Sequence, residues 1–241
     1  MAPTERNEGA LTLPEAVVEG QVHRFDKHFS GVRRKLVSAQ GESFARDVLF
    51  QTRSEYRPLL QAAPLFRGRV NVFNEIIQLN ARVVAFYRAM KAHDQSVEDV
   101  VRIYYDLFDE LHSAIPRPAR WAARQVVFSP LFLHFAQRSS ALVSDHPGGW
   151  DIRFRRGDGR ESDWSFECSR CGVIAYYEQN DAMELAPFCN FFDYIQSKTF
   201  GMGMWNPTSL GRGDTTCVEL MKRGRETALP DNLRSIVTRS A

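Results

Sequence analysis

The chain of 241 residues has an ordinary globular composition, with 44% hydrophobic and 25% charged residues. This length suits one large domain or two small ones, with a sizeable core that needs no disulfide bonds. The 31 Lys and Arg nearly balance the 29 Asp and Glu, which argues against a dedicated nucleic-acid-binding protein. No apolar run is long enough for a signal peptide or a membrane span, so we expect a cytoplasmic protein without membrane contact.

Helical periodicity dominates the first 145 residues, after a loose polar tail. The clearest helix is predicted over Val70–His93, where apolar residues recur three and four positions apart. The next helix begins at Ser96, with Asp99 at the spacing of a capping box. Trp121–Phe135 is predicted to form a buried helix or two short ones. We therefore expect a helical bundle over residues 1–145.

The pattern changes after residue 145 to the alternation of apolar and polar residues that is typical of β-strands. It occurs over Trp150–Arg155 and Trp164–Cys168, with the turn sequence Gly157-Asp-Gly159 between them. Helical spacing then returns, followed by two short extended segments and a final polar tail. The predicted fold class is α+β, in which the helical bundle packs on a small C-terminal α+β layer with antiparallel strands, residues 146–241.

All four cysteines, Cys168, Cys171, Cys189 and Cys217, lie in the last third of the chain. Cys168 and Cys171 form a C-x-x-C pair, which suits zinc or a redox dithiol, but the other two are too widely spaced for a usual zinc site and no βαβ unit follows. Alternatively, Cys171 is a reactive thiol at a strand-to-helix junction, where helix N–H groups and the adjacent Arg170 favour the thiolate. Each cysteine also suits simple packing as a small apolar residue. We expect neither a metal nor a cofactor.

A series of short motifs runs through the second half of the chain. They are Phe166-Glu-Cys-Ser-Arg-Cys171, a tyrosine at 176 or 177, Met183-Glu-Leu185, Cys189 with Asp193 four residues later, and Gly213-Asp-Thr-Thr-Cys217. This series resembles the L-2-amino-thiazoline-4-carboxylic acid hydrolase family, and the resemblance covers most of residues 56–224. The chain departs from the family after Cys217, where Val-Glu-Leu-Met-Lys replaces the usual Asp-Phe and Arg-bearing strand, and Cys168 is an addition.

The resemblance implies a small-molecule enzyme of specialised metabolism that opens a nitrogen-containing ring, such as a cyclic amidine, on an amino-acid-derived substrate. The substrate would be free or attached to a carrier protein. Hydrolysis of this kind needs a nucleophile, a group that moves protons and a cation for the substrate carboxylate. Cys171 and Cys189 are the candidate nucleophiles, and Asp193 is the candidate base. The candidate substrate-binding residues are polar or charged: Arg170, Tyr177, Lys198, Arg212, Asn74 and Gln78.

Two other functions stay open at this point. The aziridine-forming enzymes of azinomycin-type antibiotic pathways are related to the same family, so a lyase or cyclase that closes a ring and expels an anion such as sulfate is one alternative. Asp193 would then be the base, and Arg170, Lys198 and Arg212 would hold the anion, helped by a flexible turn at Gly211. The second alternative is a non-catalytic ligand-binding or partner subunit. Each of these functions is compatible with a homo- or hetero-oligomer.

Overall fold

The computed structural model describes residues 12–67 and 71–237, in which α-helices come first and a small sheet follows. The helices that precede the sheet are Glu15–His23 (α1), Phe25–Gln40 (α2), Glu42–Gln61 (α3), Val72–Ala92 (α4), Val97–Ser113 (α5), Arg117–Val127 (α6) and Pro130–Ala141 (α7). The later helices are Gly172–Gln179 (α8), Phe191–Phe200 (α9) and Arg234–Val237 (α10). The predicted α+β class is confirmed. None of the described helices is long and apolar enough to cross a membrane, and most of the predicted N-terminal tail lies outside the described residues.

Helix α4 occupies the centre of the helical part, since it contacts α3, α5 and α8. Its apolar residues, such as Phe86, are fully buried because the helix presents them on a broad face. The side chain of Asn71 accepts a hydrogen bond from the Phe73 N–H and caps the first turn. The helix predicted over Val70–His93 is therefore confirmed, although Val70 itself lies outside the described residues.

Helix α5 begins where the sequence predicts, but α6 is less buried than predicted. Ser96 and Asp99 form the expected capping box at the start of α5. Trp121–Phe135 forms parts of two helices, α6 and α7, but α6 contains no buried residue. The prediction that this stretch is buried is corrected, because Trp121 on α6 and Phe135 on α7 are both more than half exposed.

Four antiparallel strands form one sheet in the order β1-β2-β4-β3. The strands are Asp151–Arg156 (β1), Trp164–Arg170 (β2), Met204–Thr208 (β3) and Cys217–Met221 (β4). The hairpin between β1 and β2 begins at Gly157, as predicted. There the Asp158 carboxylate accepts hydrogen bonds from the N–H groups of Arg160 and Glu161.

The register between β2 and β4 decides which side chains face the helices. Cys168 lies opposite Cys217, and Phe166 lies opposite Glu219. Because alternate residues of a strand share a face, Glu219 lies on the same side as Cys217 and Met221. Met221 and Cys168 are buried, which identifies this as the inner face of the sheet.

The C-terminal segment belongs to the core. Asp231–Leu233 forms a 3₁₀ turn that continues into α10, and α10 packs on α5. Leu233 and Ile236 are fully buried. This corrects the predicted polar tail, because two apolar side chains of the segment enter the same hydrophobic core as the helices. The predicted domain boundary near residue 146 stays a prediction, and the core continues across it.

Candidate active site

Cys171 lies at the junction between β2 and α8, where it is the residue that caps the N-terminus of α8. The neighbouring Cys168 thiol, which donates a 3.0 Å hydrogen bond to the Arg170 carbonyl oxygen, is the largest influence that lowers the pKa of Cys171, followed by the N–H groups of Ile174 and Val173 and the Trp150 side chain, against the effect of burial. The same interaction with Cys171, together with burial, raises the pKa of Cys168. Cys171 is therefore the one thiol of the four whose pKa is lowered, and its reactivity stays a prediction.

The other two thiols stay protonated. Burial raises the pKa of Cys189 to about 12, and burial likewise raises the pKa of Cys217. The Sγ atom of Cys189 lies 3.9 Å from the Ser209 hydroxyl, and the Sγ atom of Cys217 lies 3.8 Å from Nδ2 of Asn206. The structure thus separates the two predicted nucleophiles, since Cys171 is activated and Cys189 is not.

A close backbone approach holds Cys189 in place. Cys189 follows the 3₁₀ helix Met183–Phe188, which packs on the 3₁₀ turn Leu210–Arg212. A Cβ atom on Gly211 would lie 2.0 Å from the Ala186 carbonyl oxygen and 2.9 Å from the Cys189 Sγ atom. Only glycine fits here, so the Gly211 turn that we expected to bind an anion packs against a thiol instead.

Two carboxyl groups interact electrostatically with each other and with these thiols. Asp193 lies in the first turn of α9, and burial raises its pKa to about 6. Glu219 on β4 is 1% exposed, and burial, followed by the charge of Asp193, raises its pKa well above the ordinary value. Its Oε2 atom is buried and has no hydrogen-bond partner among the described residues. Two acids in one site thus differ in the pH at which they ionise.

Cys171, Cys189, Cys217, Asp193 and Glu219 form one group, which we call the thiol–carboxyl cluster. The thiol of Cys217 interacts electrostatically with all four other members, and the thiol of Cys189 with Cys171, Asp193 and Glu219. The three thiols and Asp193 are only half-buried, although protein surrounds each of them.

Two further predicted residues reach the edge of the cluster. Tyr177 is buried, interacts electrostatically with Cys189 and Cys171, and donates a 2.5 Å hydrogen bond from its hydroxyl to Oδ1 of Asn80. Arg212 approaches through Asn206, with its guanidinium 3.3 Å from the Asn206 Oδ1 atom. Tyr177 thus closes one side of the cluster, and Arg212 lies behind the amide next to Cys217.

Two predicted cations lie away from the cluster. The guanidinium of Arg170 donates hydrogen bonds to the carbonyl oxygens of Ser144, His146 and Pro147. Lys198 forms a 2.6 Å ion pair with Asp109. Both side chains are committed to the protein, so neither is placed to hold a substrate anion at the cluster.

The two predicted amides of α4 also have structural partners. Asn74 bonds to both the N–H and the carbonyl oxygen of Phe66, at 2.8 and 3.0 Å. Gln78 accepts a 2.7 Å hydrogen bond from Gln21. These bonds satisfy the buried polar groups within the protein, so the geometry gives neither amide a role at the cluster.

Two clefts in the described part of the surface lie away from the cluster. One of about 550 Å³ lies between α2 and α3, and another of about 680 Å³ lies beside the β1–β2 hairpin. All four cysteines are free thiols. Within the described ranges, no three His, Cys, Asp or Glu side chains are arranged to hold a metal ion. Neither of these two clefts is lined by a residue of the thiol–carboxyl cluster.

No family model, curated protein or solved structure matches this chain. The resemblance to the thiazoline-carboxylate hydrolases accordingly stays a prediction from short motifs. The functional argument depends on the geometry of the thiol–carboxyl cluster.

Sequence reasoning missed Glu219. The residue stands in the Cys217-Val-Glu segment that departs from the family pattern, and we interpreted that segment only as a departure. The signal was the strand alternation itself, because position 219 must share the face of Cys217 if residues 217–221 form a strand. Asn206 and Ser209 were missed as well, and no spacing in the sequence connects them with the thiols.

The reactivity of Cys171 can be measured without knowing the substrate. We expect iodoacetamide at pH 7 to alkylate Cys171 more than about tenfold faster than Cys189, because only thiolates react and the two pKa values are shifted in opposite directions. Peptide mass spectrometry over a time course gives each rate. The Cys171→Ala variant should lose the fast site and the Cys189→Ala variant should keep it. Equal rates at both thiols would contradict this assignment.

Proposed function

We propose that the protein is a hydrolase that opens the ring of a small cyclic amidine of the 2-amino-thiazoline-4-carboxylate type. The observation that carries the proposal is that Cys171, a thiol with a lowered pKa, shares one cluster with Asp193, a half-buried carboxyl group whose pKa is raised to about 6. A thiolate attacks the carbon of a C=N bond, and a carboxylate with a pKa of about 6 is suited to take a proton from water.

The charge of the cluster supports a cationic substrate. Asp193 and Glu219 interact with thiols and with each other, and no described lysine or arginine forms an ion pair with either of them. A buried carboxylate without a partner is unfavourable, so a cationic ligand gains free energy by pairing with it. Cyclic amidines are protonated at neutral pH, and their positive charge lies on the amidine group that reacts.

Ring closure with loss of sulfate is the less supported reaction, because the predicted cations already bind other groups of the protein. A developing anion needs donors aimed at it, but Arg170 and Lys198 are bonded elsewhere. Arg212 is the predicted cation that reaches the edge of the cluster, and it is engaged by Asn206 and Asn232. We therefore place the amidine of an amino-acid-derived substrate next to Asp193.

Turnover of L-2-amino-thiazoline-4-carboxylate tests the proposal. We expect the wild-type protein to release a free thiol from this ring. The Cys171→Ala variant should lower the rate by roughly 10³-fold or more, and Asp193→Asn by roughly 10²–10⁴-fold, because they remove the nucleophile and the base. The released thiol is followed with a thiol-specific chromophore after the protein is removed by filtration.

The matched control is Asp181→Asn, which makes the same chemical change at an exposed residue with a positive φ of 51° that asparagine tolerates. This control should keep the wild-type rate. Full turnover by Cys171→Ala together with loss in Asp193→Asn would show that the thiol is not the nucleophile and that base-driven chemistry operates. A wild-type protein that leaves the ring intact would overturn the proposed substrate.

A further inference from the structure

Glu219 is a buried carboxyl group with no structural partner to account for it. Its Oε2 atom has no hydrogen-bond partner among the described residues, and the side chain is 1% exposed. A buried carboxylate is stable only when it is paired or hydrogen-bonded, and a buried carboxylic acid is far less costly. The surroundings therefore favour the protonated form.

The groups packed around Glu219 agree with this assignment. Cys217 and Met221 flank it on β4, and Phe166 lies opposite it on β2. Asp193 on α9 and Cys189, which follows the 3₁₀ helix Met183–Phe188, interact electrostatically with it, and each of these titratable groups is neutral or negative. None of these groups stabilises a second negative charge. When Asp193 is ionised, Glu219 therefore keeps its proton.

We propose that Glu219 carries a proton at neutral pH and donates it to the ring heteroatom that leaves the substrate carbon, while Asp193 takes the proton of the attacking water. The role in turnover depends on the function proposed above. The protonated state of Glu219 does not, because it follows from its burial and its neighbours alone.

The reaction balances with these groups. The Cys171 thiolate forms a C–S bond to the amidinium carbon, and the C=N electron pair moves to nitrogen. The bond from that carbon to the ring heteroatom then breaks, the heteroatom keeps the electron pair, and it receives the proton of Glu219. The substrate remains attached to Cys171 as a cationic isothiourea-type group, and Glu219 is left as a carboxylate.

Water completes the cycle. Asp193 removes a proton from water while the water oxygen bonds to the carbon, and the C=N pair again moves to nitrogen. The C–S bond to Cys171 breaks and the thiolate leaves. The new hydroxyl loses its proton to Glu219 as the carbonyl forms, so Glu219 returns to the acid, and Asp193 releases its proton to solvent.

Infrared spectroscopy tests the proton without any substrate. At pH 7 the wild-type protein should show the C=O stretching band of a protonated carboxyl group, and this band should shift in D₂O. We expect the Glu219→Gln variant to lose the band. The Glu167→Gln variant is the matched control, because Glu167 lies on the neighbouring strand β2 and pairs with Arg155. It should keep the band.

The Asp193→Asn variant completes the assignment, and it also covers the case in which Glu219→Gln fails to fold. If Glu219 holds the proton, Asp193→Asn keeps the band. A band that survives Glu219→Gln and disappears in Asp193→Asn would place the proton on Asp193 and overturn the proposal. The absence of the band in the wild-type protein at pH 7 would also overturn it.

Kinetics with L-2-amino-thiazoline-4-carboxylate then test the donation. Glu219→Gln should lower kcat by roughly 10²–10³-fold, and an analogue whose leaving heteroatom is less basic should recover most of that loss. Such an analogue should not rescue Cys171→Ala. A protein that shows the band but leaves the ring intact keeps the protonated Glu219 and refutes the proposed substrate. A protein that turns the ring over with an unchanged kcat in Glu219→Gln refutes the proton donation.

Discussion

The Asp193→Asn variant should be more stable than the wild-type protein at pH 8, by roughly 2–3 kcal/mol and roughly 5–10 °C in Tm. Burial raises the pKa of Asp193 from 3.8 to about 6, so the folded protein binds this proton more tightly than the unfolded chain does. The free energy of unfolding therefore falls as the pH rises from about 4 to about 6. Above that range the folded protein bears the full cost of a buried carboxylate, and the variant does not.

The pH dependence separates this effect from ordinary changes in packing. Urea unfolding at pH 4 and pH 8 should show that the advantage of Asp193→Asn is small at pH 4 and grows to its full size at pH 8. Asp181→Asn, an exposed position, should show no such growth. An advantage that is equal at both pH values, or absent at pH 8, would mean that Asp193 ionises in the folded protein as easily as in water. We expect Asp193→Asn to gain stability and to lose turnover, because a catalytic base in such a site destabilises the folded protein.

The sequence predicted the helices and strands better than it predicted which side chains are buried. Periodicity alone located α4, and alternation with a Gly-Asp-Gly turn located β1 and β2, because these patterns are imposed by the geometry of each element. The same patterns could not show that α6 exposes its apolar face. Whether an amphipathic helix is covered depends on what packs against it, which is a property of the tertiary structure.

The candidate site shows the same difference between the position of a residue along the chain and the direction of its side chain. Cys171 and Asp193 both influence Cys189 electrostatically, and they lie at the N-cap of α8 and in the first turn of α9. Arg170 was included because it is adjacent to Cys171 in sequence. Neighbouring residues of a strand point to opposite faces, however, and the Arg170 side chain extends to the loop before β1. The alternation of side chains along a strand could have predicted the position of Glu219 without any family pattern.

The C-terminal segment connects the stability of the protein with the cluster. Asn232 donates hydrogen bonds to the Pro187 carbonyl oxygen at 2.6 Å and to Oδ1 of Asn190 at 2.8 Å. Asn190 precedes α9, the helix that carries Asp193, and Pro187 belongs to the 3₁₀ segment before Cys189. The segment that the sequence suggested to be a tail thus supports two elements of the candidate site.

Leu233→Ala should therefore lower the free energy of unfolding by about 2–5 kcal/mol, because it removes a fully buried side chain and leaves a cavity between α10 and the core. Urea unfolding measures the change, and Ser235→Ala, an exposed position in the adjoining helix α10, should change it by less than about 0.5 kcal/mol. Because the lost packing loosens the segment that holds Asn190, Leu233→Ala should also expose Cys189 to faster alkylation by iodoacetamide at high pH, while Ser235→Ala leaves that rate unchanged. Equal stability of the two variants would show that the segment is not packed in the core, and a large loss of stability without faster alkylation would confine its role to the core itself.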